Sequence, residues 1–379
     1  DALRRFATFE AISEVHPDKH WQIWPDALRR ADHPAVAAFA AAHAPRVRFH
    51  SYLQWLSDAQ LARAAAWAGS AGLSIGFYRD LAVGCAPDGA EAWANPLDYA
   101  QGVSVGAPPD PFSASGQVWS LPPPSPLGRH RTGGGLFGNL LESNMRHAGA
   151  LRIDHAMGLS RLFWVPDGMP GSAGAYVAND FEANLADVAL VSHRAQCLVI
   201  GEDLGTVQEG FRERLAAEDI LAYRVLFFER DDNRFKPART YPRTAVACVA
   251  THDIAPLAGW WRGRDTDERL ATGQIDEAAA EAARGARVRE RAMLAEAVGQ
   301  PALAGGDDFP ALSRAVHDFV AEAPSMLVVT QAEDLVGEEE GVNLPGTDRE
   351  RPNWRRRLAA TSAEIFDRAD REGTLPKTE

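Results

Sequence analysis

Residues 198–202 (LVIGE) form a short apolar run that ends in a carboxylate, and this pattern decides the fold class. Three other runs of the same kind are residues 75–80 (IGFYRD), 151–154 (LRID) and 246–253 (VACVATHD). A parallel barrel builds its site at the carboxyl ends of the strands, so strands that end in acids direct those acids into one mouth. We therefore expect Asp154, Glu202 and Asp253 to converge on one pocket. Three converging acids with few competing cations favour chemistry on a neutral polar substrate such as a sugar.

Segments with strand character alternate with helical segments along most of the chain. The six strand segments are residues 74–78, 150–154, 197–202, 223–228, 246–251 and 326–331. Their near-continuous apolar character is typical of strands that are covered on both faces, as in a parallel sheet with crossover helices. The pattern predicts the α/β class. Six strands fall short of the eight in a complete (β/α)8 barrel, and the residues before Ser74 show only helical patterns.

Two stretches interrupt the alternation of strands and helices. Helices are predicted near residues 3–12, 47–71, 136–148, 181–195, 209–217, 265–298, 311–323 and 362–370. Residues 81–131 are rich in Pro and Gly and lack a long periodic run, and a structureless stretch of that length is usually functional. We interpret the chain as one catalytic domain over residues 1–379, with a loop-rich insertion at about 81–135 and a helical insertion at about 265–323.

The composition restricts the partners and the location. The 379 residues carry a formal net charge of −13, which disfavours nucleic acid or an anionic membrane surface as the main partner. Cys85, Cys197 and Cys248 are widely spaced and odd in number, which argues against a disulfide framework and favours the cytoplasm. No run approaches the roughly 18 apolar residues of a membrane span, and no signal-peptide pattern is present. The chain starts at Asp1 without an initiator Met, which we interpret as a fragment.

Arg152 and Asp154 lie two residues apart on a predicted strand, so their side chains point to the same face. An arginine beside a carboxylate holds that carboxylate ionised and oriented. Such a carboxylate suits a nucleophile that attacks the anomeric carbon of a sugar and forms a covalent glycosyl-enzyme. A structural Arg–Asp pair at the end of a strand explains these two residues equally well.

Glu202 ends an apolar strand and lies among small residues. A partly desolvated glutamic acid has a raised pKa and can donate a proton to a leaving oxygen. The alternative is that the Glu202–Asp203 pair caps the start of a helix before Thr206. Asp203 could fill that structural role and leave Glu202 for the site.

His252 and Asp253 follow the next strand and could both hydrogen-bond sugar hydroxyls. Such bonds can strengthen as the ring distorts toward an oxocarbenium ion. A His–Asp pair is also compatible with a metal site or a catalytic triad. The chain contains neither a GxSxG elbow for a triad nor an HExxH zinc motif, so we rank both lower.

Trp93, Trp119 and Trp164 lie in or near the predicted mouth. Flat aromatic faces suit the apolar faces of sugar rings. A tryptophan in such a position is more often a packing residue. Its placement on a Pro/Gly-rich loop favours a role in ligand binding only slightly.

Several long motifs resemble those of the 4-α-glucanotransferases, also called amylomaltases or disproportionating enzymes. They are residues 75–84 (IGFYRDLAVG), 102–119 (GVSVGAPPDPFSASGQVW), 144–166 (NMRHAGALRIDHAMGLSRLFWVP), 199–207 (VIGEDLGTV), 251–253 (THD) and 343–347 (NLPGT). The motifs appear in the order of the family, and the resemblance runs from about Phe6 to about Leu358. It is strongest to the bacterial branch that metabolises maltodextrins.

The resemblance implies a catalytic (β/α)8 TIM-type barrel of the α-amylase clan that acts on α-1,4-glucans by a retaining double displacement. By motif, Asp154 matches the nucleophile, Glu202 the general acid/base, and Asp253 the acid that stabilises the transition state. Further residues that match the subsite that cleaves the glucan or the glucan-binding mouth are Arg152, His252, Asp80, Asp110, Trp119 and Asn343. No metal or organic cofactor is implied. The partners implied are α-1,4-glucan oligosaccharides as donor and acceptor.

The chain departs from the family pattern in two respects. The family has a preceding region with the first two barrel strands, so we expect an incomplete barrel that holds strands three to eight. The residues after 251–253 and the glycine run at 133–135 also differ from the usual family residues, which affects loop details and leaves the three acids unchanged.

Two alternatives to the transferase remain. An α-glucan hydrolase of the same architecture would carry the same acids. A truncated, non-catalytic glucan-binding form would keep the acids but lack part of the barrel.

Overall fold

The computed structural model describes residues 1–17, 19–109, 115–132, 135–347 and 349–374. The chain divides into two compact units, Asp1–Glu218 and Asp219–Glu379. The elements of the first unit are α1 (Ala2–Val15), α2 (Pro34–Ala42), α3 (Ala44–Ser70), β1 (Tyr78–Leu81), α4 (Ala90–Ala94), β2 (Val103–Ala107), β3 (Gln117–Val118), α5 (Pro126–Thr132), α6 (Gly135–Met145), β4 (Ala150–Ile153), β5 (Arg161–Pro166), β6 (Ala175–Ala178), α7 (Phe181–Ala195), β7 (Leu198–Gly201) and α8 (Phe211–Ala217).

The second unit is mostly helical around a short sheet. Its elements are β8 (Ala222–Val225), β9 (Ala245–Cys248), α9 (Leu257–Arg262), α10 (Arg264–Ala271), α11 (Glu277–Ala297), α12 (Phe309–Ala321), β10 (Leu327–Val329), α13 (Ala332–Val336) and α14 (Ser362–Glu372). Short 3-10 turns connect several elements in both units.

Each unit contains a three-stranded parallel sheet. The strand order is β1-β4-β7 in the first unit and β10-β9-β8 in the second. Every neighbouring pair in these two sheets is parallel, as the alternation of strands and helices predicts. The α/β class and five of the six predicted strand positions are therefore confirmed, with boundaries shifted by a few residues.

The first predicted strand, at residues 74–78, is wrong in its position. The strand starts only at Tyr78, because Gly76 takes a φ of +71° that an extended strand does not allow. The turn before β1 also passes close to Gly149, where an added Cβ would lie 1.7 Å from the carbonyl oxygen of Ile75. Glycine is the residue that permits this approach, so β1 enters the sheet after a tight crossing rather than as a longer strand.

An antiparallel sheet of four strands was missed by the sequence analysis. Its order is β3-β2-β5-β6, and β2 pairs with β5 over the register that sets Ser104 opposite Val165. The stretch 81–131, interpreted as structureless, contributes α4, β2, β3 and most of α5. A short strand whose partner lies about 60 residues further along the chain gives no hairpin signal, because hairpins are recognised by a close pair of strands around a turn.

Side-chain caps explain where several of the predicted helices begin, among them α7, α12 and α14. The carboxylate of Asp180 accepts from the amide of Ala183 at 3.1 Å and starts α7. Apolar residues at helical spacing, Leu185 and Val188 among them, give this helix one buried face. The helix ends at Gln196, which takes the left-handed conformation typical of helix ends.

Trp93 is a core residue rather than part of a mouth. It is fully buried in the first unit, with its ring centroid 5.5 Å from that of Phe9, and its indole donates to the carbonyl of Leu28 at 2.9 Å. The functional reading of Trp93 is therefore wrong.

No helix in the described part of the chain combines the length and the hydropathy that crossing a membrane requires.

Candidate active site

The carboxyl ends of β4 and β7 place two candidate catalytic acids next to each other in the first unit. Ile153 lies opposite Gly201 in the parallel register, so Asp154 and Glu202 follow at the same end of neighbouring strands. The amide of Glu202 donates to the carbonyl of Ile153 at 3.0 Å, which fixes this end of the sheet. Asp80 lies on β1, on the other side of β4.

Arg152 joins two carboxylates at this end of the sheet. Its Nη1 donates to both carboxylate oxygens of Asp80, at 2.8 and 2.9 Å, and lies 2.8 Å from Oδ1 of Asp154. Burial works to lower the pKa of Arg152, but the charges of Asp154 and Asp80 outweigh it and raise that pKa. The guanidinium therefore stays charged and holds Asp154 in one orientation, which is the contact that the spacing of these residues predicts.

Glu202 is only 7% exposed. Burial raises the pKa of its carboxyl group to about 7, and the nearby charge of Asp154 adds to the effect. Amide groups of Leu204 and His155 donate to the two carboxylate oxygens at 2.6 and 2.8 Å, which opposes the rise. A carboxyl group with a pKa near neutrality can both give and take a proton at physiological pH.

His155 links the two acids, and the sequence analysis did not single it out. Its backbone takes a left-handed φ of 46°, which is unusual for a residue other than glycine. This conformation accompanies the bond from its amide to Glu202. Burial lowers the pKa of the imidazole to about 4, so the ring is neutral at pH 7. Backbone strain next to a reactive group is common at functional sites.

The helix-cap alternative for the Glu202–Asp203 pair is wrong. The next helix, α8, has Gly210 at its N-cap and no side-chain cap. Asp203 is instead fully buried, and the guanidinium of Arg212 donates to its carboxylate at 2.5 Å and to its carbonyl at 2.8 Å. Asp203 thus supports the loop after β7, whereas the carboxylate of Glu202 accepts from the backbone amides of Leu204 and His155.

A cavity of about 370 Å³ opens beside Asp80 and Asp154 in the first unit. Its apolar lining includes Phe137, Leu140 and Leu162. The volume lies within the range of small-molecule pockets in proteins. The nucleophile candidate therefore lies at the edge of a space that is large enough for a ligand.

In the second unit, the residues after β9 form another polar group. Nδ2 of Asn343 donates to Oδ1 of Asp253 at 2.7 Å, and Nε2 of His252 lies 3.4 Å from Oδ2 of the same carboxylate. The hydroxyl of Thr251 accepts from the amide of Asp253 at 3.2 Å. Two predicted binding residues, His252 and Asn343, thus lie beside Asp253, the predicted third acid. The convergence of Asp253 with Asp154 and Glu202 stays a prediction.

Trp354 joins this second group and was missed by the sequence analysis. Its ring centroid lies 5.1 Å from that of His252. The signal that could have found it is local: Pro352 and Asn353 mark a loop, and a tryptophan in a polar loop is unusual.

The remaining candidates have mixed outcomes. Trp119 is half-buried, and its ring meets that of His155 edge-on with centroids 5.3 Å apart. Trp164 is half-buried within β5, opposite Val105 of the antiparallel sheet. Asp110 lies outside the described residues. The binding roles of Trp119 and Asp110 stay predictions.

Within residues 1–17, 19–109, 115–132, 135–347 and 349–374, no cluster of three or more His, Cys, Asp or Glu side chains is arranged to hold a metal ion.

Comparison with known proteins gives a consistent result. A family model described as 4-alpha-glucanotransferase, glycoside hydrolase family 77, matches residues 1–362. The chain is 40% identical over 361 residues to a 4-alpha-glucanotransferase of Mycobacterium tuberculosis (strain H37Rv), a match that covers 93% of this chain and 50% of that protein. It is 36% identical over 360 residues to a 4-alpha-glucanotransferase of Haemophilus influenzae, covering 92% of this chain and 50% of the relative.

Solved structures give the same picture. The crystal structure of amylomaltase from Corynebacterium glutamicum matches with a TM-score of 0.79 and 34% identity, over 93% of this chain and 50% of that chain. Amylomaltase from Streptococcus agalactiae in complex with acarbose matches with a TM-score of 0.76 at 20% identity, over 97% of this chain and 71% of that one, which supports the fold alone. The chain spans about half the length of the curated relatives it matches.

Proposed function

The chain belongs to the 4-alpha-glucanotransferase family, and from this premise we propose that it carries the reacting groups of an enzyme that transfers α-1,4-glucan segments between maltodextrins. The observation that carries the proposal is the pairing of Glu202, a buried carboxyl with a pKa of about 7, with Asp154 at the end of the neighbouring strand. One acid is suited to hold a proton, and the other lies 2.8 Å from the charged guanidinium of Arg152. That division of labour is what a retaining double displacement requires.

In the first step, a carboxylate oxygen of Asp154 forms a bond to the anomeric carbon of the donor glucan. The bond between that carbon and the 4-oxygen of the leaving segment breaks, and Glu202 delivers its proton to that oxygen. The leaving segment departs with a free 4-hydroxyl group, and Asp154 carries the glycosyl group as an ester. The guanidinium of Arg152 keeps the Asp154 carboxylate oriented before the attack.

In the second step, the 4-hydroxyl of an acceptor glucan attacks the anomeric carbon. Glu202, now ionised, takes the hydroxyl proton, and the bond from the carbon to Asp154 breaks. The new glycosidic bond has the original configuration, and both acids return to their starting states. Transfer exceeds hydrolysis when the acceptor sugar excludes water from this step.

Asp253 is the third acid in this proposal. Its carboxylate, held by Asn343 and facing His252, would bind sugar hydroxyls and stabilise the ring as positive charge develops. Trp119, Asp80 and the loop that contains Asp110 would contribute to glucan binding around the reacting ring.

We extend the proposal to the barrel itself. The parallel strands β1, β4, β7, β8, β9 and β10 would correspond to strands three to eight of an α-amylase-clan barrel. The likeness to amylomaltase structures supports this assignment, and so does the parallel pairing within each sheet.

A cytoplasmic location accords with the three cysteines, which are all free.

The experiment that tests the proposal is incubation of the protein with maltotriose, followed by chromatography of the products. Transfer should give both shorter and longer oligosaccharides. Glu202→Gln should abolish this pattern, whereas Glu182→Gln, on the surface of α7, should leave it unchanged. A steady rise of reducing ends without longer products would assign a hydrolase instead, and no products at all would refute activity of this chain.

A further inference from the structure

Trp354 is the most exposed aromatic side chain near the candidate site residues of the second unit. Its exposure is 63%, although tryptophan is usually well buried. The ring lies beside that of His252, with centroids 5.1 Å apart and planes at 54°. A large aromatic face is thus presented to solvent next to the residues that hold Asp253.

The backbone at Trp354 is held in an unfavourable conformation. Its φ is +60°, in the left-handed region that bulky residues rarely adopt. Both polar atoms of the Asn353 side chain are hydrogen-bonded. Its Oδ1 accepts from the backbone amide of Leu344 at 3.1 Å, and its Nδ2 donates to the carbonyl of Thr347 at 3.0 Å. Such strain persists where surrounding contacts determine the conformation, and it is common at ligand-binding positions.

The side chain of Arg351 anchors the same loop. Its guanidinium donates to the side chain of Asn353 at 3.1 Å, to Glu268 of α10 at 3.0 Å and to the carbonyl of Gly341 at 2.5 Å. The backbone is therefore fixed immediately before Trp354. An exposed ring on a fixed backbone loses little conformational freedom when a ligand covers it.

The loop also couples Trp354 to the third acid. The amide of Trp354 donates to the carbonyl of Val342 at 2.9 Å. The next residue after Val342 is Asn343, whose side chain holds Asp253 at 2.7 Å. The aromatic face and the carboxylate are thus positioned by one segment of chain.

We propose that Trp354 is a stacking surface for one glucose ring of an α-1,4-glucan, next to the ring whose hydroxyls bind Asp253. The inference rests on the proposed function and adds a sugar-binding residue to it. A glucose ring presents C–H bonds on its faces and hydroxyls around its edge. Such a ring matches a flat aromatic surface beside a carboxylate and an imidazole. Trp354 contacts the substrate without taking part in bond making.

The test compares binding of maltoheptaose to wild type and to two variants by isothermal titration calorimetry. Trp354→Ala should weaken binding by about tenfold, the scale of one aromatic contact. Trp354→Phe should retain most of the affinity because it keeps a flat ring. Phe366→Ala is the matched control, since Phe366 is 62% exposed in the same unit on α14, and it should bind like wild type. In turnover assays, Trp354→Ala should raise KM more than it lowers kcat.

The outcomes separate the inference from the proposed function. If wild type binds maltoheptaose and Trp354→Ala binds equally well, the stacking role is refuted and the transferase proposal stands. If binding depends on Trp354 but maltotriose is not redistributed, the inference stands and the transferase proposal fails for this chain. If wild type binds no maltoheptaose, both fail. Equal losses in Trp354→Ala and Phe366→Ala would also overturn the inference, because they would indicate a general structural effect.

Discussion

Glu202 illustrates how a protein changes the chemistry of a single residue by burial. The carboxyl group lies at the end of an apolar strand with 7% exposure, and its pKa rises to about 7 from an ordinary value of 4.5. Two backbone amides donate to its carboxylate oxygens and hold the group in place. Position and proton affinity are both required of a general acid.

We predict that the Glu202 carboxyl titrates near pH 7. Carbon NMR of protein labelled at the glutamate carboxyl groups, with Glu202→Gln to assign the signal, measures this directly. In the active enzyme, kcat/KM should fall above about pH 7, because the acid loses the proton that the leaving oxygen needs. A signal that titrates near pH 4.5 would contradict the assigned role.

The same pKa makes a prediction about stability. Between pH 4.5 and about 7 the native state holds a proton on Glu202 that the unfolded chain has lost. The free energy of unfolding should therefore fall as pH rises through this window, by on the order of 3 kcal/mol from this group. Glu202→Gln cannot lose the proton, so its unfolding free energy should depend less on pH there. Parallel pH profiles for wild type and variant would contradict this.

Arg152 should be needed for folding as well as for orientation. We predict that Arg152→Met destabilises the protein by roughly 3–5 kcal/mol, because it leaves Asp80 and Asp154 close together without their shared cation. Arg264→Met removes an exposed ion pair with Glu339 and should have a much smaller effect. Chemical denaturation of the two variants makes the comparison, and equal losses would show that Arg152 has no special role.

Sequence reasoning placed Asp154 and Glu202 at the ends of neighbouring strands because an acid at the end of an apolar strand is a local pattern. It did not single out His155 or Trp354. Both residues take left-handed backbone conformations, and such conformations are imposed by contacts that a local pattern does not reveal. The predicted position of Trp93 near the mouth was wrong for a different reason. Its sequence context resembles a loop, but tertiary packing places it in the core.

At the scale of elements, the helix α9 packs close to the loop that follows α13. Gly259 of α9 has no room for a side chain, since an added Cβ would lie 1.9 Å from the carbonyl oxygen of Glu339. Gly285 of α11 has nothing within 4 Å of the same position. A side chain at Gly259 would therefore clash with its neighbour, whereas a side chain at Gly285 would meet open space.

We predict that Gly259→Ala lowers the melting temperature and that Gly285→Ala raises it. The first forces α9 away from its neighbour, which costs more than about 2 kcal/mol. The second gains roughly 0.5–1 kcal/mol, because alanine favours a helix. Scanning calorimetry measures both, and a stable Gly259→Ala variant would show that the contact is not tight.

The elements that sequence reasoning recovered are those with strong local periodicity or long apolar runs. Helices such as α3 and α7, and strands such as β4 and β7, belong to this class. The sheet β3-β2-β5-β6 does not, because its strands are short and its pairing is made between distant segments. The start of β1 was misplaced because a tight crossing at Gly149 overrides the apolar signal before it.

At the scale of the whole molecule, the three candidate acids come from two compact units of the chain. Asp154 and Glu202 belong to the first unit and Asp253 to the second. The chain covers about half of the length of its curated relatives. Activity of this polypeptide is therefore a property to be measured on it directly.

We predict that Asp253→Asn lowers turnover of maltotriose by at least a hundredfold, although its unit contains neither of the other acids. Asp307→Asn, with 85% of its side chain exposed in the same unit, is the control and should be active. The melting temperatures of both variants should match wild type. A fully active Asp253→Asn variant would remove the third acid from the mechanism.

We predict that Asp154 becomes covalently glycosylated during the reaction. The direct measurement is acid quenching of the protein during reaction with α-maltosyl fluoride, followed by mass spectrometry of its peptides, with Asp154→Asn as the control. We expect a maltosyl group on the peptide that contains Asp154, and none in the variant. A sugar ester on another carboxylate, or turnover with inversion at the anomeric carbon, would contradict it.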